Sequence, residues 1–377
     1  MSSFAFARTD TSVVGRWWWT VDRWLLVAAG TLIVIGMILT MAAGPPAAGR
    51  IGADTYHFVR KQAVFLPLAV AVMLAISLMP VLWTRRMAVA GLAVSFIMMV
   101  ATLLIGAEIN GAHRWLRVGP LSVQPSEFVK PFLVVVSAWM FSMSRTTPGF
   151  PGNAIALGCL LAVSAVLLAQ PDVGMTLVVV SVWCAQFFMA GLPIVWVVIL
   201  AFAGLGALVG AYFLFPHVAS RIDRFLDPST GDTYQVKQAM LAFQNGGVMG
   251  RGPGEGRVKE LLPDAHTDFI FAVAGEEFGV LLCLLVVALF GFLVLRAMIK
   301  VLRDDNLFVL LAVGGLAAQF GLQAIINMAS SLHMMPTKGM TLPFISYGGS
   351  SMIALAIGMG MILGLTRRRR DAEGLQA

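Results

Sequence analysis

An all-α integral membrane protein is the fold the sequence predicts: one polytopic domain over 1–377, with ten transmembrane helices and a large extracytoplasmic loop between helices 7 and 8. Three observations predict it. Hydrophobic residues make up 59% of the chain and charged residues only 12%, against about 45–50% and about 25% in ordinary soluble domains. Mean hydropathy is +0.86. Apolar runs of about 20 residues, enough to cross a hydrocarbon core of about 30 Å as a helix, recur from end to end.

Taken in order, the runs are 24–43, 62–83, 87–106, 126–143, 153–169, 172–190, 193–215, 268–295, 307–328 and 347–366. A tail at 1–23 precedes them and a basic tail at 367–377 follows. The first run is too long, and too far inside the chain, to read as a cleaved signal. No stretch between the runs suffices for a soluble domain. The longest, 216–267, carries a segment at helical spacing, TYQVKQAMLAFQ, suited to a helix lying in the membrane interface. Cys159, Cys184 and Cys283 all fall inside expected spans, where a free thiol behaves as a small hydrophobe. Neither a disulfide nor a metal site is expected from them.

Basic residues near helix ends orient a membrane protein. Ten spans put both termini on one side, with Arg85, Arg86, Arg145, Arg296, Lys300 and the run Arg367 to Arg370. Once the long loop 216–267 is set aside, that side is the richer in Lys and Arg, so both termini are expected in the cytoplasm. The net charge of +7 is then mostly anchoring at the inner leaflet, and nothing calls for nucleic acid as a partner.

Under this topology the chemically useful side chains gather at the outer face, in three segments. The first, residues 110–132, holds Arg114 and Arg117, candidates for ligand contact, and Glu127 with Lys130, three apart on one helix face. A charge at mid-membrane costs about 2.5–3.5 kcal/mol, so Glu127 and Lys130 read as a structural ion pair. The second, residues 245–279, opens on a glycine run with Arg251, Arg257 and Lys259 and ends in HTDFIFAVAGEEFG. The run has neither Walker nor dinucleotide spacing. A flexible loop and a phosphate-meeting surface stay open as its readings. Asp268 stands where this polar segment enters the apolar helix, and an acid so placed needs a reason. Catalysis and capping of the helix N-terminus, which Thr267 could also supply, are the two reasons on offer. Glu276 and Glu277, further in, read as buried structural partners. The third segment, residues 327–351, is broken by Pro336, Gly339, Pro343, Gly348 and Gly349. Non-helical backbone at membrane depth must line a cavity or be buried in protein, so a re-entrant loop carrying Lys338 is expected there.

Together, RWLRVGPLSVQPSEFVK, HTDFIFAVAGEEFG and LPFISYGGSS resemble the SEDS family of cell-wall polymerases, the FtsW and RodA proteins, over nearly the whole chain. PTKG followed by TLPFISYGGSS is more similar to the FtsW branch. Gly254-Glu255-Gly256, Asp264 and Ser330-Ser331-Leu332-His333 depart from the usual pattern. The resemblance implies a peptidoglycan glycosyltransferase that polymerises lipid II at the outer face of the cytoplasmic (inner) membrane, at the division septum. It implies Asp268 as the essential acid, and a class B penicillin-binding protein, an FtsI-like transpeptidase, as partner beside other divisome proteins. Arg114, Arg117, Arg251, Arg257, Lys259, His266, Lys338, Ser346 and Tyr347 are the substrate-binding candidates. No cofactor is assigned, and a divalent cation, Mg or Mn, stays open because it would suit a diphosphate.

In such a reaction a sugar 4-hydroxyl attacks an anomeric carbon and expels a lipid diphosphate. A positioned base is worth about 10²–10⁴ in rate, and cations meet the leaving charge, so one carboxylate suffices. Three rivals stand beside this: a lipid II flippase or transporter, a non-catalytic recruiter of the transpeptidase, and a RodA-type role in elongation.

Overall fold

The computed structural model describes residues 12–109, 112–119, 121–191, 194–227, 234–302, 304–336 and 339–367. Among the described residues, seven helices are long and apolar enough to cross a membrane: α2 (Arg23–Arg50), α3 (His57–Ser77), α4 (Val81–Ile105), α5 (Pro125–Thr146), α6 (Gly152–Ala169), α12 (Ile270–Val301) and α13 (Leu307–Ser331). The other three expected spans fall on apolar helices, α7 (Val173–Met189), α8 (Ile194–Leu214) and α14 (Gly349–Leu365). A short α1 (Val13–Thr20) precedes α2. The loop after α8 holds α9 (Pro216–Leu226), the expected interface helix as α10 (Tyr234–Gly246), and the single turn α11 (Val258–Leu261).

The expected all-helical character has one correction. Residues 107–123, read as a loop, form an antiparallel meander of β1 (Ala107–Ile109), β2 (Ala112–Val118) and β3 (Leu121–Val123). Val118 pairs with Leu121 around Gly119 at φ +62°, the positive-φ tight turn that keeps hairpin strands twisted together.

α5, α13 and α14 form the centre of the bundle and are buried on nearly every side. α14 packs on α3 and α5, and α13 on α5, α7 and α12. Small residues allow the close approach expected between membrane helices: a Cβ on Gly360 would lie 2.7 Å from the Met73 carbonyl oxygen, and one on Gly36 would lie 2.3 Å from that of Phe344.

Charges sort to the two ends of the bundle. At one, the carboxylate of Asp22 caps α2 and meets Arg296 and Lys300, each at 3.0 Å. Burial pushes the Asp22 carboxyl upward, and these cations and the α2 amides outweigh it, holding it below the usual carboxylate range. Arg367 donates to the Ser77 and Leu78 carbonyls nearby. At the other end Arg50 reaches the carbonyls of Lys259, Glu260 and Leu262 at the end of α11. Arg114 there clamps β2 to the α6–α7 turn, donating to Gln170 and Pro171 and pairing with Asp172 at 3.7 Å.

Candidate active site

Asp268 sits just before α12, outside the span, in a turn closed by its amide donating to the Asp264 carbonyl at 3.0 Å. It is not a helix cap. The N-cap position of α12 is Phe269 with no side-chain cap, and the Thr267 hydroxyl donates to the Asp264 carbonyl instead. Among the described residues the Asp268 carboxylate takes part in no hydrogen bond or ion pair.

The non-helical α13–α14 connection lies along this segment and is fastened to it. Tyr347 donates its amide to the His266 carbonyl at 2.9 Å, and the Ser346 hydroxyl donates to the Thr267 carbonyl at 2.5 Å while accepting from the Leu342 amide. Asn327, on α13, donates to the carbonyls of both Asp268 (2.9 Å) and Met340 (2.6 Å). The backbone at Gly339 comes so near that a Cβ there would stand 2.8 Å from Asp268 Oδ2. Two motifs about 70 residues apart in sequence thus form one wall around one acid.

Electrostatics follow from that enclosure. Burial, helped by the like charge of Asp264, raises the Asp268 carboxyl to about 7, and Arg221 on α9 pulls the other way. Both its protonated and its ionised forms are therefore accessible near neutral pH. His266 is buried too, its ring against Phe58 (4.2 Å between centroids) and Tyr347 (5.5 Å). Burial lowers it to about 4, with Asp264 opposing and Arg50 assisting, so the imidazole is neutral at pH 7. Its Nδ1 makes no hydrogen bond among the described residues.

A second device supports the site from the side. α12 is broken at Gly279 (φ +73°, ψ −170°), which makes 270–278 a half-helix. The glycine run fills the break. The amides of Arg251 and Gly252 donate to the carbonyls of Glu276 and Glu277, and that of Val280 donates to Gly247. Only glycine fits here: a Cβ on Gly250 would lie 2.2 Å from the Glu277 carbonyl oxygen and one on Gly246 1.9 Å from that of Gly275.

Both carboxylates then turn onto the same loop. Glu276 accepts from the Arg257 and Val258 amides, and Glu277 accepts from Gly254. Lys259, itself buried, meets Glu277 at 2.5 Å and the Gly254 carbonyl at 2.9 Å. The run is thus neither a flexible loop nor a phosphate cradle, because these amides already serve carbonyls and carboxylates. Lys259 is a counter-ion for Glu277, which leaves it poorly placed to meet a ligand.

The remaining candidates divide. Arg117, Arg251 and Arg257 are exposed at the loop-bearing end. Arg114 holds the β2 clamp. Ser346 is a staple between two backbones, and Tyr347 packs on His266 and Phe58. Lys338 lies outside the described residues. Glu127 and Lys130 stand 2.9 Å apart and both are buried; the contact is one of charge, without hydrogen-bond alignment. Lys130 also donates to Gln323 (3.1 Å), which donates to the Thr341 carbonyl, and Thr341 and Ser351 share a 2.6 Å bond. The buried pair is thereby joined to the loop beside Asp268.

Asn327, Gln323, Arg221 and Arg50 escaped the sequence reading. One signal was present for two of them: Gln319, Gln323 and Asn327 recur every fourth residue inside an apolar span, an amide stripe on one helix face. Among the described residues, no three His, Cys, Asp or Glu side chains gather as metal ligands.

Known proteins are similar to this chain in sequence and fold. The probable peptidoglycan glycosyltransferase FtsW of Caulobacter vibrioides is 44% identical over 374 residues, covering 99% of this chain and 96% of its own. That of Pseudoalteromonas atlantica is 34% identical over 94% of this chain and 75% of its own. Among solved structures, a chain from a peptidoglycan synthase complex, described as coordinating polymerization and crosslinking, superposes with a TM-score of 0.75 at 27% identity, covering 92% of this chain and 97% of that one. The rod shape determining protein RodA of Thermus thermophilus superposes at 0.67 with 26% identity, over 93% of this chain and 97% of its own. The family model for cell cycle proteins of the FtsW/RodA/SpoVE type matches residues 23–371, so the chain belongs to the FtsW/RodA/SpoVE family.

Proposed function

We propose that this chain is a peptidoglycan glycosyltransferase that polymerises lipid II at the outer face of the cytoplasmic membrane during cell division, with Asp268 as its general base. The observation that carries the base assignment is a carboxylate walled in by the Gly339–Tyr347 loop, excused from helix capping and raised to about 7. A base is most effective when its pKa lies near the working pH.

The 4-hydroxyl of one sugar gives its proton to Asp268 as its oxygen attacks the anomeric carbon of another. The bond to the lipid diphosphate breaks, its electron pair leaves on the phosphate oxygen, and the anomeric carbon inverts. Arg251 and Arg257, exposed on the loop that fills the α12 break, are the cations offered to the diphosphate, and Arg117, exposed on β2, is a further candidate. A divalent ion, were one bound, would supply charge neutralisation to the diphosphate that carries it. A class B penicillin-binding protein completes the enzyme by crosslinking the glycan, and both termini face the cytoplasm.

The test is polymerisation of lipid II by the purified chain with its cognate transpeptidase. Wild type should build glycan strands and Asp268→Asn should not. Equal strand production by the two proteins would overturn the role of Asp268, and failure of wild type to polymerise would overturn the activity.

A further inference from the structure

Away from Asp268, the inside of the bundle contains a small cavity between α5, α7 and α13, lined by Lys130, Trp183, Gln186 and Gln319 among apolar side chains such as Val179. Its four polar side chains are nearly inaccessible: Lys130 3%, Trp183 5%, Gln186 0% and Gln319 3%. Three of them bring polar atoms that make no hydrogen bond among the described residues: Trp183 Nε1, Gln186 Oε1 and Gln319 Oε1. The Gln186 amide nitrogen is fully engaged with the carbonyls of Val134 (2.9 Å) and Leu311 (3.0 Å), which fixes its orientation and leaves its oxygen facing elsewhere. Lys130 bonds Gln323 and faces Glu127. An ammonium has three N–H groups, and with its one hydrogen bond made to Gln323 a spare N–H is left for the cavity.

A buried polar atom without a partner keeps its desolvation cost uncompensated, and three around one cavity form a costly arrangement. The set is chemically complementary to one molecule. Two donors (the spare Lys130 N–H and the Trp183 indole N–H) and two acceptors (the Gln186 and Gln319 oxygens) are what a tetrahedral water accepts from and donates to. The space available to a water centre is ≈ 10 Å³, close to the about 10–15 Å³ that a single water requires.

We infer that this cavity is a structural hydration site, in which one water molecule accepts from Lys130 and Trp183, donates to Gln186 and Gln319, and joins α5, α7 and α13 inside the membrane. It adds a hydrogen bond to the ammonium whose other bond runs through Gln323 to the loop beside Asp268. The inference does not depend on the proposed activity.

Two measurements on the full chain test it. A density map at about 2 Å should show a peak within about 2.7–3.2 Å of at least three of the four polar groups; a cavity without a peak overturns the proposal. The second is thermal unfolding of Val179→Leu, which intrudes on the cavity. Displacing a bonded water should lower Tm by a few degrees in the native background, and much less in Trp183→Phe/Gln319→Leu, where the water has lost half its partners. A rise in Tm in the native background would mean a dry void that leucine fills, and an equal fall in both would mean simple overpacking. Either result overturns the proposal.

Discussion

Asp268 combines two properties that oppose each other: a desolvated acid costs stability when ionised, yet it must ionise to act as a base. Its folded pKa of about 7 lies above the ordinary 3.8, so the fold favours the protonated form. That stability is fully present below pH 3.8 and lost as pH rises through 7. Glycan polymerisation by wild type should therefore rise with pH to a plateau, with an apparent pKa near 7. A profile flat from pH 5.5 to 8 would refute the assignment. Asp268→Asn should lower the rate by about 10²–10⁴ while melting higher than wild type, by a margin that widens from pH 5 to pH 8. A margin independent of pH would mean that the carboxylate is not desolvated. His266, at about 4, should contribute no inflection between pH 5 and 8.

At the scale of elements, the half-helix of α12 and the glycine loop are one unit. A broken membrane helix exposes backbone groups that hydrocarbon cannot satisfy, and residues 247–252 satisfy them. Gly250→Ala is both strained, at φ +80°, and blocked by the Glu277 carbonyl. It should destabilise by about 2 kcal/mol or more, read as a fall in Tm with loss of activity. Glu277→Gln should cost about 3–5 kcal/mol by leaving the Lys259 charge buried alone. Adding Lys259→Met should recover much of that loss, and additivity of the two changes would show that the pair is not coupled. Neither device was legible beforehand. The glycine spacing matched no ligand motif, and its partner is backbone within α12 itself, which composition does not mark.

For the whole molecule, segregation of charge is the organising fact. Asp22, Arg296, Lys300 and Arg367 share one end, and the Asp268 wall with its loops holds the other. In intact cells, Glu255→Cys should react with a membrane-impermeant maleimide while Thr147→Cys should not, since both positions are exposed but on opposite sides of the proposed topology. The reverse pattern would invert the topology. The helical membrane architecture was legible because hydrocarbon demands about 20 apolar residues per crossing whatever the neighbours are. The meander at 107–123 was not, because its alternation is short and mixed with loop-like glycine and proline.

Sequence alone determined the membrane class, the placement of the apolar runs, the three polar segments and the position of an acid at the border of one of them, because hydropathy and motif spelling are local properties of a chain. The tertiary structure alone decided which polar groups are available. It bound Lys259 to Glu277, made Ser346 a staple, cleared Asp268 of capping duty and set Asn327 and Gly339 beside it. These outcomes depend on which distant backbone atoms come within about 3 Å of one another. Burial and partnership are set by packing, and packing is long-range.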